Sequence, residues 1–432
     1  MQRAAMIGIL TLGLVAGLSG PAVAAAPAEP TMARVSVATD GTEADDYSVE
    51  VAISRDGHFV AFWSGATNLV PGDTNGTGDI FLRDQVAGTT IRVSVASDGS
   101  QANAYNYVPA ISADGRFVSW ISSATNLVAG DTNGLDDIFV HDLQTKITTR
   151  VSVATDGTQA RGISMNPSLS ADGRYVAFES EAPNLVPDTF GSNIFVHDRE
   201  TGVTELVSRS YDGSPTEFPG SAMPRISADG RYVAFESGSS KIVPGDVNGQ
   251  GDIFLCDRVT HATTLVSVPE AGAVADNSAY RPTPSDGGRY VAFLSYASNM
   301  VPGDSNNGPD VFVRDLTLGT TTRVSVWADG TQNPQESGYP VMSADGRYIA
   351  FETRGHLGMS ADPWGYQDVH IKDRVTGAVS IASLARNDRA ANNQSGYPAI
   401  SADGLSVGFY SYATDLVTND SNGKADVFVQ RR

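Results

Sequence analysis

One cysteine in 432 residues, Cys256, leaves this chain without an intrachain disulfide framework and without any cysteine-based zinc site. Basic charge is scarce as well. Lys and Arg number 29 against 49 Asp and Glu, a formal net charge of -20, which argues against nucleic acid or an anionic membrane surface as partner. No Gly-x-Ser-x-Gly elbow occurs, and the six histidines, His58, His141, His197, His261, His356 and His370, fall on strands, turns or a loop without forming a triad. Charged residues make up only 18% and hydrophobic ones 41%, so the chain is foldable rather than disordered. With 44 Gly and 21 Pro, turns are many and uninterrupted helix is scarce, which predicts an all-β protein with Cys256 as a small core or strand residue.

The N-terminus reads MQRAAMIGILTLGLVAGLSGPAVAAAPAEP, with Arg3 before an uncharged run and then Ala22-Val23-Ala24. This is the pattern of a secretory signal peptide over residues 1–24, followed by a short linker, 25–32. The apolar run breaks at Gly20-Pro21, too short for a stop-transfer helix, and no cysteine follows to carry a lipid anchor. The expectation is export to a secreted or periplasmic, cell-envelope space, with no membrane insertion after cleavage and a monomeric mature chain.

Residues 33–432 repeat with a period of about 58, which leaves no room for a second domain. The marker is Asp-Gly, a basic residue and an aromatic, as in SADGRFVSW and SADGRYVAF. The aromatics are Phe59, Phe117, Tyr175, Tyr232, Tyr290 and Tyr348, with Ser406 in the seventh copy. Each copy holds four β-rich runs bounded by turn residues: A, ending in P-x-I-S; B, R-Y-V-A-F; C, D-I-F-V; and D, R-V-S-V. Asp-Gly between A and B predicts a two-residue hairpin with positive φ. Four-stranded meanders in series must stack to bury their faces, and radial stacking gives a β-propeller. The chain opens on a lone D run, Arg34 to Val37, and stops just after a C run, Asp426 to Val429. Seven A-B-C triplets therefore find their seventh D strand at the N-terminus. The expected fold is a seven-bladed β-propeller of four-stranded antiparallel blades, closed by the N-terminal strand so that no blade edge is left open.

S-A-D-G-R-Y-V-A-F followed by D-I-F-V-x-D resembles the TolB-type, WD-repeat-like propeller repeat, with Ala in place of that family's usual Pro before Asp-Gly. The likeness spans residues 33–430. It implies a propeller, and with it a range of roles: binding scaffolds, translocation partners and the propeller halves of serine peptidases. A peptidase would need an α/β catalytic domain that the length excludes.

The long B–C loops carry G-D-x-N-G-x-x-D: Asp73, Asn75, Asp79; Asp131, Asn133, Asp137; Asp246, Asn248, Asp252; Asp304, Asn306, Asp310; Asp420, Asn422, Asp426. Asp-x-Asn puts two oxygen ligands on one side of a tight loop and a later Asp can complete a cage, so these are candidate calcium sites. The same residues also make a turn, with Asn-Gly reversing the chain and Asp capping backbone amides. The sixth copy keeps Asp362 and Asp368 around Trp364; the third, 187–193, is a residue shorter and ends in Asn193. No cofactor is otherwise required.

Strand A should be innermost, and the residue just before its Pro changes from copy to copy: Glu50, Val108, Asn166, Met223, Arg281, Tyr339, Tyr397. Glu50, Asn166, Arg281, Tyr339 and Tyr397 around one channel mouth form a candidate site for a polar ligand, a glycan or a peptide end. Drift at solvated positions would give the same variety. These features favour a non-enzymatic binding scaffold for a protein or glycan; the alternative is a carbohydrate-active or lyase-type enzyme using the channel, which converging His, Asp or Glu would favour.

Overall fold

The computed structural model describes residues 31–213, 220–354, 365–387 and 389–432. The expected signal peptide, most of the linker and most of the sixth copy's B–C loop lie outside the described residues. Among the described residues twenty-eight strands form seven four-stranded sheets, each an antiparallel meander, so the protein is an all-β, seven-bladed propeller. In blade two the order is A (Asn106–Ile111), B (Phe117–Ser122), C (Asp137–Asp142) and D (Ile147–Arg150). In blade seven the N-terminal strand, Thr31–Arg34, pairs antiparallel with Asp426–Arg431, in register from Thr31 opposite Arg431 to Arg34 opposite Phe428. The ring is closed by the N-terminal strand.

Strand D lies three residues earlier than R-V-S-V predicts. Arg150 is the last strand residue, and Ser152 takes over where the outer strand leaves the sheet. Its hydroxyl accepts the Ile138 N–H at 3.1 Å and donates to Asp137 Oδ1 at 2.5 Å, so a side chain finishes the ladder that the backbone began. The first strand begins at Thr31 by the same shift. The A–B connection is likewise longer than a two-residue hairpin. Residues 112–116 form it: Ser112 Oγ accepts the Phe117 N–H at 2.9 Å, and only Gly115 has positive φ, at 74°.

The core sits between blades and repeats with them. A B-strand and a C-strand ring stack in each blade, as Phe178 and Phe195 do at 5.9 Å, and His370 takes the C-strand place in blade six against Phe351. Phe178 and Phe195 are fully buried, and each such ring contributes roughly 2–3 kcal/mol. Cys256 is a buried C-strand residue packed with Phe235 and Phe254. The aromatic after Asp-Gly-Arg lies on the Asp-Gly turn of the next blade. A Cβ at Gly173 would stand 2.3 Å from the Phe117 ring, so glycine there serves both the turn, at φ 68°, and the close approach of two blades. His141 and His197 are buried strand residues whose Nδ1 atoms meet Thr148 and Thr204 hydroxyls at 2.9 Å; burial pushes both imidazoles down to about 4.

Candidate functional site

Alternating connections put the short A–B and C–D turns on one face and the long loops on the other, with the inner strands around a central channel. At the short-turn end the channel is bound by backbone. Six of the seven turns donate an N–H to the neighbour's carbonyl: Arg55 to Ala113, Ala113 to Ala171, Ala171 to Ala228, then Asp286 to Ala344, Ala344 to Ala402 and Ala402 to Arg55, at 2.8 to 3.1 Å. Arg55 and Asp286 also form an ion pair across that mouth.

Toward the long loops every inner strand carries a β-bulge. In blade two the register passes from Tyr107 opposite Ile121 to Ala110 opposite Ser119, so Val108 and Pro109 together face Trp120. The first residue of each bulge is the one before Pro (Val51 takes the Pro place in blade one). All seven, Glu50, Val108, Asn166, Met223, Arg281, Tyr339 and Tyr397, have φ between 49° and 56°. A left-handed backbone costs roughly 1–2 kcal/mol per non-glycine residue, and it recurs here in every blade. Pro lacks an N–H and is tolerated at a bulge on an edge strand. The bulge turns all seven side chains onto a single cavity of about 320 Å³.

The backbone N–H freed at the bulge finds an acceptor that sequence reasoning did not single out. Strand B carries Glu179, Glu236 and Glu352 in Y-[VI]-A-F-E, and each receives an N–H from the next blade: Met223 at 3.3 Å, Arg281 at 2.9 Å and Tyr397 at 3.0 Å. Blade one has Trp63 at that place, and Glu50 itself receives the Val108 N–H at 2.6 Å. Burial raises the carboxyls of Glu50 and Glu236, and pushes Glu352 up to about 7. Asn166 donates its amide to Glu179 at 2.9 Å. Around the channel wall, Arg281 Nη2 donates to the Tyr339 hydroxyl, which donates to the Tyr397 hydroxyl, both at 2.8 Å. Arg281 also lies 3.6 Å from the Tyr339 ring centroid, a cation–π contact that fixes both side chains. Among the described residues no histidine lines the cavity, while Glu50 does.

The acidic loops converge as their spacing suggests, and in four of the five complete ones a cation of the protein's own is present. Arg92 lies 3.0 Å from Asp73 and 3.1 Å from Asp79; Arg150 is 3.3 Å from Asp131 and 3.5 Å from Asp137. Arg323 likewise spans Asp304 and Asp310, and Arg34 spans Asp420 and Asp426 and also pairs with Glu43. These are the arginines of R-V-S-V. The asparagines bridge within the loop, as Asn75 Nδ2 to Asp79 at 3.0 Å and Asn133 to Asp137 at 3.1 Å, with Asn422 and Asn306 alike. The second Asp of each loop also accepts from the serine just beyond strand D, as Asp79 does from Ser94 at 2.6 Å. Blade four differs: Leu265 stands opposite Phe254, where Arg150 stands opposite Phe139. There Asn248 reaches Asp252 at 2.7 Å, and burial beside Asp252 pushes Asp246 up to about 6.

The fold and this channel define a closed seven-bladed propeller with a ligand-sized cavity at its long-loop end. No family model and no curated protein matches the sequence. Solved structures share the fold. An oligogalacturonate lyase in complex with manganese is 13% identical with a TM-score of 0.57, over 93% of this chain and 92% of that one. The β-propeller domain of the Trilobed protease from Pyrococcus furiosus, described as having an open velcro topology, is 11% identical with a TM-score of 0.52, over 89% and 95%. A putative TolB from Agrobacterium tumefaciens is 15% identical with a TM-score of 0.40, over 64% and 80%. At these identities the first two likenesses show the fold alone.

Proposed function

We propose that this protein is an exported, non-enzymatic binding scaffold of the TolB type that takes a polar ligand, a protein segment or a glycan, into the long-loop end of its channel. It acts in the secreted or cell-envelope space as a monomer. The observation that carries this reading is the repeated bulge: seven strained backbone positions present side chains of six kinds to one cavity. The repeat resemblance supports it, since it implies binding scaffolds among its members. A pull-down and a glycan array with the chain from Ala25 onward test it. The double substitution Tyr339→Ala and Tyr397→Ala is expected to weaken capture at least about ten-fold, since tyrosines carry a large share of interface energy, while the melting midpoint stays within a few degrees. Capture unaffected by the pair would remove the channel from the reading.

A second reading, a carbohydrate-active or lyase-type enzyme in the channel, is favoured by one feature. Glu352 behind the cavity wall, pushed up to about 7, lies in the range a general acid needs. Turnover lost in Glu352→Gln, which keeps the acceptor for the Tyr397 N–H, would establish it.

Calcium belongs to this proposal at one loop. Asp246, Asn248 and Asp252 offer oxygen ligands with no arginine between the acids. Calcium at a hundred times its Kd is expected to stabilise the folded chain by about 2.7 kcal/mol. Asp246→Asn with Asp252→Asn should abolish that gain. A melting curve that neither calcium nor chelator moves would end the calcium reading.

A further inference from the structure

Position x of P-x-I-S follows the bulge, and in blades four, five and six it lines the cavity, with Arg225, Thr283 and Val341. Six blades fill it with small or β-branched residues, Ala52, Ala110, Ser168, Thr283, Val341 and Ala399; blade four has Arg225. Among the described residues Arg225 makes no ion pair and no side-chain hydrogen bond. Every other arginine of the repeat motifs is matched, as Arg116, Arg174, Arg231, Arg289 and Arg347 are by the last Asp of strand C. Arg225 is ringed by protein yet reaches solvent in the lumen, and both that confinement and the nearby Arg281 disfavour its charged form. An unmatched guanidinium is therefore held inside a channel of a chain whose net charge is -20.

Arg281 is the second cation. Its Nη2 is committed to Tyr339, and the Tyr339 and Tyr397 hydroxyls extend the polar edge around three blades. Acids near the channel do not neutralise Arg225. Glu50 accepts the Val108 N–H, Glu179 the Asn166 amide and the Met223 N–H, Glu236 the Arg281 N–H, and Glu352 the Tyr397 N–H. A guanidinium presents a planar fork that matches a carboxylate with two parallel hydrogen bonds. Resting on the channel-binding reading above, we infer that the ligand carries a carboxylate, received by Arg225 with Arg281 beside it, while the Tyr339 and Tyr397 rings cover its uncharged body. The pocket thereby selects an anionic group against the repulsion of the acidic surface, which restricts it to ligands whose charge is local.

Two sources share that chemistry, a uronic acid and a peptide C-terminus, and the experiment separates them. Calorimetric titration of the mature chain uses a uronic acid disaccharide and its methyl ester, then triglycine and its C-terminal amide. One acid form is expected to bind at least about ten-fold more tightly than its neutral partner. Arg225→Ala should remove that preference and Arg225→Lys restore part of it. The melting midpoint of Arg225→Ala should hold or rise, because an unmatched charge in a confined site is lost; a structural arginine would show a fall instead. Acid and neutral forms binding alike would overturn the carboxylate while leaving channel binding in place. Absence of binding by all four probes at millimolar concentration, or an undiminished preference in Arg225→Ala, would overturn it too.

Discussion

A chain begun at Thr39 instead of Ala25 is expected to lose most of its thermal stability and to aggregate. Residues 31–38 supply the outer strand of blade seven and the first link across the seam. The Val35 N–H bonds the Val427 carbonyl at 2.8 Å, and Val35 is 2% exposed. Ser36 donates to Asp426 at 2.5 Å, as its counterparts do in the other blades. Arg34 sits among Glu43, Asp420 and Asp426, whose carboxylate oxygens lie within 4.8 Å of one another. Without the segment that acid cluster has no cation and Asp426–Arg431 becomes an open strand edge, a template for pairing with another chain. Scanning calorimetry and size-exclusion chromatography of the two chains read the effect. An unchanged midpoint and a single sharp peak would mean that the seam does not hold the ring.

Arg92→Leu is expected to cost about 3–5 kcal/mol, the range for removing one partner of a buried ion pair. The side chains of Asp73 and Asp79 are 4% and 0% exposed, and among the described residues no other cation pairs with either. Leucine itself is acceptable at that register, as Leu265 demonstrates in blade four. Burial and Asp79 already raise the Asp73 carboxyl, with Arg92 opposing them; removing Arg92 raises it further. A carboxyl raised in the folded state contributes stability below its unfolded value near 4 and loses it as pH rises through the folded value. The deficit should therefore be larger at pH 8 than at pH 4, measured by urea unfolding at both. The converse change, Leu265→Arg, should stabilise blade four and cancel any response to calcium there. Equal stability of Arg92→Leu and the parent at pH 8 would refute the pairing.

Blade number, strand order and the seam were legible because a repeat of about 58 residues shows the same turn chemistry seven times. Strand limits were less so: R-V-S-V looks like a strand, but its serine completes the ladder from outside it. The channel residues were identifiable from their place before Pro, although nothing local announces a left-handed backbone in Tyr339 or Val108. The arginine between the loop acids could have been found by comparing copies. Where blade three has Leu206 for the arginine it also has Asn193 for the second Asp, so charge is lost on both sides together. Arg225 could have been found as the one large cation among small residues at its place, whereas Glu352 and its fellows could not. Their role is to satisfy an N–H about 45 residues away, and only packing of blade on blade creates that need.

The strand that closes the ring is made first and paired last. Some 392 residues separate Arg34 from Asp426, so at 5–20 residues per second a ribosome needs about 20–80 seconds before the partner exists. Throughout that interval six blades can assemble on their own turns while the outer strand of the seventh waits for the three strands it will join. A chain ended early by a stop codon, or cut anywhere before Asp426, keeps every earlier blade yet never acquires the seam. Arrival of the seventh blade is thus written into the last-formed hydrogen-bonded ladder, and a protease that samples open strand edges would separate closed rings from open ones.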